Sequence, residues 1–398
     1  MDPKLRNSFG YSEWSGSIGD LGTLLPLAYA LAVVNGFPVG RLLLLWGVVY
    51  IVTGWYFRVP VPVQPLKAMA VIALAQGFTA SQLSLSAIAF GLTMLALVFS
   101  GALTRIERLF SPSIVRGIQL GAGLILVQKG VEFVLDNGLY VHADVQHPLL
   151  QAVGAAALLL ILAYLQWARG FQIAFPLLLA SIIGSAMLGV PLRELPTQGP
   201  SFQVPPPQLD FLPSAFSALI IPQLPLTLGN AVIATADACH QFWPQRSGRV
   251  SVGRLALSIG LSDVVIGLLG GFPICHGSGG AAAHARFGGR TGGTTIILGS
   301  ALITIALIPK LRAAFFLVPV PLLGVLLVLS GLGMVQLMLR LRGVFSLGIA
   351  AVVGILSFAT RNLTVALLCG LAIEQIVVRT VGGLEPQKSA TKNAQRSR

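Results

Sequence analysis

V-P-V-P-V-Q-P-L-K (Val59 to Lys67) and G-F-P-I-C-H-G-S-G (Gly271 to Gly279) are two short, broken stretches set inside long apolar runs. The first cannot be helical. Pro60, Pro62 and Pro65 remove backbone donors and push the residue before each of them out of the α region. The spacing therefore predicts an extended segment, with a helix starting near Pro65 or Leu66, since proline is acceptable in a first turn. In the second stretch, Pro273 to Gly280 is expected to do the same, its glycines opening a helix at Ala281-Ala282-Ala283. Pro62 and Pro273 align at an offset of 211 residues.

The rest of the chain says what surrounds these breaks. Of 398 residues, 55% are hydrophobic and only 10% charged, with a mean hydropathy of +0.83. Soluble domains carry about 25% charged residues, so this exterior must face lipid. The 45 Gly and 24 Pro sit inside apolar runs, where membrane helices tolerate them. A net charge of +13 could suggest nucleic acid. The Lys and Arg are instead scattered through short connections rather than gathered on one face, so no nucleic-acid partner is expected. Cys239, Cys275 and Cys369 have no metal-ligand or disulfide spacing, so neither a cofactor nor a metal is expected. The N-terminus lacks the h-region and small-residue cleavage site of a signal peptide.

A bilayer core of about 30 Å needs roughly 20 apolar residues per helix. Runs of that kind lie near 17–35, 41–58, 66–77, 82–103, 112–135, 148–167, 171–191, 213–236, 253–271, 277–288, 291–310, 313–339, 344–360 and 362–380. The third and tenth are the short ones. Counting them as passes with both ends in the cytoplasm puts nineteen Lys and Arg inside and six outside, as the positive-inside rule requires. The expectation is an all-α polytopic protein with fourteen segments in the cell (inner) membrane. Trp46, Trp55 and Trp167 read as interface anchors.

The two halves repeat. Gly19-Asp20 corresponds to Gly229-Asn230 at an offset of 210, the two broken stretches at 211, and Pro112 to Gly117 with Pro319 to Gly324 at 207. Seven segments per repeat is odd, so the second copy enters from the opposite side. One membrane domain over 1–398 is expected, with repeat 1 about 12–191, repeat 2 about 213–380 and a polar tail at 382–398.

Paired broken segments in inverted halves point to a transporter's binding site. Each helix start leaves free N–H groups and about half a positive charge, which together favour an anion. Gly277, Gly279 and Gly280 permit close backbone approach, and Ser278 and His276 can donate. Lys67 adds a full charge at membrane depth; the competing reading is a permanent pair with Asp20. For His276 the competing role is polar packing. Asp20 is a candidate coupling acid, or else a helix cap. Asn230 holds the equivalent place uncharged and could bind an oxyanion. Asp237 and Asp263 read as structural, and Arg286 and Arg290 as cytoplasmic anchors.

The motifs G-D-L-G-T-L-L-P (19–26), P-V-Q-P-L-K-A-M-A (62–70), G-N-A-V-I-A-T-A-D (229–237) and P-I-C-H-G-S-G-G-A-A-A-H-A-R-F-G-G-R-T-G (273–292) resemble the bacterial and plant molybdate transporter family, within the sulfate-permease and uracil-permease superfamily. The resemblance spans essentially the whole chain. It implies two inverted seven-segment repeats, a core bundle holding substrate and a gate bundle beside it. Residue by residue it places Gln64, Lys67, Cys275, His276, Gly277 and Ser278 at the substrate, and Thr23 and Gly279 lie in the same motifs. Asn230 stands where relatives often carry an acid. No cytoplasmic regulatory domain is expected after the last span.

The function expected is secondary active transport of a tetrahedral oxyanion, molybdate first and sulfate or tungstate next. A nucleobase permease would carry acids in the eighth and tenth segments, where this chain has Asn230 and none. An anion channel suits paired half-helices less well. An intramembrane enzyme would need a nucleophile–base pair, and the sequence offers none. Proton or sodium coupling and a homodimer are both left open by the sequence.

Overall fold

A computed structural model describes residues 6–136, 138–140, 148–169, 174–187, 199–200 and 208–381. The polar tail lies outside the described residues, as does most of the loop after the seventh expected segment.

The first half runs α1 (Tyr11–Ser17), α2 (Leu21–Asn35), α3 (Val39–Phe57), β1 (Gln64–Pro65), α4 (Lys67–Gln76), α5 (Ala80–Phe99), α6 (Leu103–Glu107), α7 (Pro112–Asp136), α8 (Pro148–Arg169) and α9 (Ala174–Met187). The second half opens with a long rod, Leu212–Phe242. It consists of α10 (Leu212–Ser214), α11 (Ile221–Leu226) and α12 (Ala234–Phe242), joined by π-helical stretches at Ala215–Ile220 and Thr227–Ile233. Then come α13 (Val252–Leu268), β2 (Ile274–Cys275), α14 (Ser278–Arg286), α15 (Gly293–Leu307), α16 (Pro309–Phe315), α17 (Val320–Gln336), α18 (Val344–Thr360) and α19 (Leu363–Val381). By length and composition, six unbroken helices among the described residues could cross a membrane. Among the shorter helices, α4 and α14 are the two that follow the broken stretches, and α15 and α16 meet at a 102° bend.

Small residues decide how the long helices pack. A methyl on Gly47 of α3 would lie 2.7 Å from the Gly299 carbonyl oxygen of α15, and one on Gly299 would lie 2.5 Å from the Gly47 oxygen. Seven residues on, Gly54 abuts Gly292 equally closely. Backbone touches backbone here, which in lipid replaces the missing hydrophobic drive for association. The crossing occurs twice. A methyl on Gly91 of α5 would lie 2.7 Å from the Gly260 oxygen of α13, and one on Gly267 would lie 2.6 Å from the Ser84 oxygen. Gly47 and Gly54 precede Gly260 and Gly267 by 213 residues, while Ser84 and Gly91 precede Gly292 and Gly299 by 208. The α7–α17 crossing pairs Gly123 with Gly331 and Gly130 with Gly324 by the same close approach.

Three sequence expectations change. The extended stretches are not independent: β1 and β2 pair antiparallel, Gln64 opposite Cys275 and Pro65 opposite Ile274, so the fold is not purely helical. Helix α14 begins at Ser278 rather than Ala281, because Gly277 is already in an extended capping conformation and its carbonyl accepts from Gly280 and Ala281. Trp46 is not an interface anchor. It is fully buried, and its indole N–H donates to the Phe272 carbonyl at 2.9 Å, satisfying a backbone oxygen that the broken stretch leaves free. Trp55 is 65% exposed. The side chain of Trp167 lies outside the described residues.

Candidate oxyanion site

Because β1 and β2 run antiparallel, the helices that follow them leave the strand pair in opposite directions. Lys67 opens α4 immediately after β1, and Ser278 opens α14 two residues after β2. The two N-termini are therefore held at one place by the ladder, reinforced by the Leu66 N–H donating to the Pro273 carbonyl at 3.1 Å. The first N–H groups of each helix have no i−4 carbonyl to reach. In α4 the third of them, on Met69, is taken by Gln223 Oε1 at 3.1 Å. Gln223 is in turn fixed by donating to Thr227 Oγ1 at 3.0 Å, so the rod stabilises the half-helix from outside.

The acid and the lysine do not pair. Asp20 is buried on a 3₁₀ turn, Ile18–Asp20. It accepts from the Tyr50 hydroxyl at 2.6 Å and from Gln64 Nε2 by a very short contact. The Gly19 backbone sets that turn against α14: a methyl there would lie 2.9 Å from the Ala283 carbonyl. Lys67, half-buried, has no carboxylate within 4 Å among the described residues, where the single ion pair is Lys129–Glu132.

His276 is fully buried, with both ring nitrogens engaged. Nδ1 lies 2.8 Å from the Pro62 carbonyl and Nε2 3.0 Å from Ser258 Oγ. A carbonyl can only accept, so Nδ1 carries the proton and Nε2 accepts from the serine. The ring ties the two broken stretches together, and neither nitrogen is left for a ligand. The His276 carbonyl is held by Thr235 Oγ1 at 2.7 Å. Ser278 donates to Asn230 Oδ1 at 2.7 Å, while the Asn230 amide N–H₂ has no protein acceptor among the described residues.

The glycines divide by what surrounds them. At Gly277 an added methyl would run into Gln64 Oε1, and at Gly280 it would lie 2.6 Å from Pro62 Cβ. Gly279 is exposed, and a methyl there meets nothing within 4 Å. The structure thus gathers Asp20, Gln64, Lys67, Asn230, Cys275, His276, Gly277, Ser278 and Gly279 around the strand pair. Thr23 sits half-buried in the first turn of α2 and makes no hydrogen bond to any of them. Sequence reasoning missed Tyr50, Gln223, Thr235 and Ser258, which orient the site from neighbouring helices. Only repeat alignment, which sets Tyr50 against Asp263, could have flagged one of them.

The family described as "Molybdate transporter of MFS superfamily" matches residues 12–126 and 215–334, more than half of the chain and every residue of the gathered site. The chain belongs to this family. Its similarity extends to curated relatives. Molybdate transporter 2 of Arabidopsis thaliana is 28% identical over 374 residues, covering 83% of this chain and 79% of the relative. Molybdate transporter 1 of Chlamydomonas reinhardtii is 28% identical over 468 residues, covering 91% and 90%. Among solved structures, the transmembrane domain of a cyanobacterial bicarbonate transporter, BicA, has a TM-score of 0.65 at 16% identity, covering 92% of this chain and 98% of that one. Murine Slc26a9, an anion transporter in the inward-facing state, also gives 0.65, at 14% identity, covering 94% and 69%. At such identities these two structures establish the fold alone. The protein is therefore a polytopic membrane transporter of the molybdate transporter family, with a BicA- and Slc26a9-like fold, and not an enzyme.

Proposed function

We propose that this protein is a secondary active transporter of a tetrahedral oxyanion, molybdate first, working by alternating access. The observation that carries the reading is the unpaired Lys67 ammonium at the start of α4, beside the free N-terminal backbone of α14. A cation left without an acid at membrane depth calls for a mobile anion, and helix N-termini offer donors for its oxygens. Gln64, Ser278, Asn230 and the Cys275–Gly279 backbone complete the cradle. His276 acts through the strand pair, and Asp20 as a fixed acceptor for Gln64. The names of the curated relatives favour molybdate over sulfate.

In this reading the chain crosses fourteen times. Tyr11–Asn35, the Leu212–Phe242 rod and the strand-plus-half-helix pairs each count as one pass, while α6 and α16 connect passes. The twofold recurrence of the glycine crossings supports two inverted seven-segment repeats, about 12–191 and 213–380. A gate of α7–α9 and α17–α19 would rock against the core. Both termini face the cytoplasm. In a cysteine-free background, a membrane-impermeant thiol reagent applied outside should label Cys introduced at exposed Asp136 and miss one at exposed Gln245. Labelling only at Gln245 would invert the orientation.

The substrate is tested by titrating purified protein with molybdate, tungstate, sulfate and uracil. Molybdate and tungstate should bind at least about tenfold more tightly than sulfate, a difference of roughly 1.4 kcal/mol, and uracil should not bind. Tighter sulfate binding would make this a sulfate permease of the same fold.

A further inference from the structure

The two halves treat one position differently. Tyr50 on α3 and Asp263 on α13 stand 213 residues apart, the spacing that relates Gly47 and Gly54 to Gly260 and Gly267. Each serves the strand of its own half. The Tyr50 hydroxyl takes a hydrogen bond from the Val63 backbone, and Asp263 Oδ1 takes one from the Ile274 N–H at 2.7 Å. Val63 and Ile274 are themselves equivalent, 211 residues apart. In the first half the chain of bonds continues, because Tyr50 donates onward to Asp20. In the second half it stops. Asp263 Oδ2 has no partner among the described residues, and the residue is completely buried.

A carboxylate in that place would be an uncompensated charge in a membrane domain. Among the described residues, the elements packed along α13 offer no cation to offset it. Helix α5 and the Thr227–Ile233 stretch contain no ionisable residue. Strand β2 contributes Cys275 and the following turn His276, whose Nε2 is held by Ser258 on α13 itself. Helix α3 carries Tyr50, Tyr56 and Arg41, and Arg41 Nη1 is directed at the Gly270 carbonyl, 3.1 Å away. No cation lies within 4 Å of Asp263 among the described residues. Asp20 differs in kind: each of its oxygens already accepts a hydrogen bond, from Tyr50 and from Gln64. The third buried acid among the described residues, Glu13, accepts from the Arg290 and Thr291 N–H groups and the Thr294 hydroxyl. Of the three, Asp263 is the one built to hold a proton.

We propose that Asp263 carries the proton that couples anion movement. In the present state its carboxyl is neutral and bound to the strand that leads into α14. Motion of the strand pair that opens this pocket to water lets Oδ2 release its proton and leaves the carboxylate hydrated. One Ile274 hydrogen bond therefore links the protonation state of Asp263 to the backbone on which the anion sits. The inference rests on the transport reading and adds the coupling ion and its site.

The test uses the full chain in proteoliposomes, with molybdate uptake and an internal pH-sensitive dye read together. In the wild type, molybdate entry should carry protons with it, and an inward gradient of one pH unit should raise accumulation about tenfold per coupled proton. Asp263→Asn keeps the acceptor for Ile274 and mimics the protonated acid. It should retain molybdate counterflow and lose the gradient-driven accumulation. Gradient-driven accumulation equal to wild type in Asp263→Asn would overturn the proposal. So would wild-type flux unaccompanied by protons. Neither result touches the transport reading, which fails only if the wild type neither binds nor moves molybdate. If Asp263→Asn does not fold, Asp263→Glu decides: the pH of half-maximal uptake must shift, and an unchanged profile overturns the assignment.

Discussion

Lys67→Ala protein should melt no earlier than wild type in detergent and bind molybdate about 100-fold more weakly or worse, by the size of a charge-assisted contact in a low-dielectric site. The first half of that expectation follows from what Lys67 lacks. It has no carboxylate partner among the described residues, and Asp20 is already satisfied by Tyr50 and Gln64. Removing a half-buried, unpaired ammonium leaves no orphaned acid behind and relieves a desolvation cost, so the empty protein has nothing to lose. The second half follows from what remains. Helix N-termini and neutral amides still offer hydrogen bonds, yet a dianion drawn from water into the membrane needs a full compensating charge. Lys67→Arg should recover part of the affinity, because the charge returns with a planar fork in place of a compact ammonium. Titration calorimetry and thermal melts on the same preparations measure both halves. Wild-type affinity in well-folded Lys67→Ala would move the anion site elsewhere. A large loss of melting temperature would show instead that Lys67 is a structural cation whose partner lies beyond the hydrogen bonds described above.

How far the sequence reached is clearest at the strand pair. Proline chemistry located the first break and the start of α4 to within a residue or two, because Pro60, Pro62 and Pro65 act locally, and Pro273 with its glycines located the second. The pairing of β1 with β2 was not legible. It is a contact between residues about 210 apart, and two-residue strands leave no alternation to read. The start of α14 was placed three residues late for a related reason. Glycine is a poor helix former on average, but a first turn capped by Gly277 and packed on Pro62 and Gln64 accommodates it. Trp46 shows the limit of composition. Its position in an apolar run fitted an interface, and only the tertiary approach of α3 to Phe272 reveals a buried hydrogen bond. Asp20 and Lys67, chosen for their charge, and Gln64, placed by the resemblance, lie together at the strand pair. Residues that merely orient them, such as Tyr50 and Gln223, announce themselves only in three dimensions.

Gly279→Val should abolish molybdate binding while leaving the melting temperature nearly unchanged, and this pairing of outcomes distinguishes an anion seat from a packing glycine. The warrant is the contrast among three neighbours. Side chains at Gly277 or Gly280 would strike Gln64 or Pro62, so Val at either should lower stability first. Gly279 faces open space in the first turn of α14, where a valine gains the helix about a few tenths of a kcal/mol in propensity over glycine. What the isopropyl group fills is the volume beside the Ser278 and Gly279 N–H groups, the volume an oxyanion must occupy to reach them. Ser278→Ala supplies the scale. It removes one hydroxyl, already spent on Asn230, and should weaken binding by roughly 0.5–1.5 kcal/mol. Steric exclusion should therefore exceed the loss of a donor by a wide margin. Molybdate affinity and melting temperature for Gly277→Val, Ser278→Ala, Gly279→Val and Gly280→Val, measured side by side, decide the matter. Normal binding by Gly279→Val would mean that the open face of α14 does not hold the anion, whatever Lys67 does.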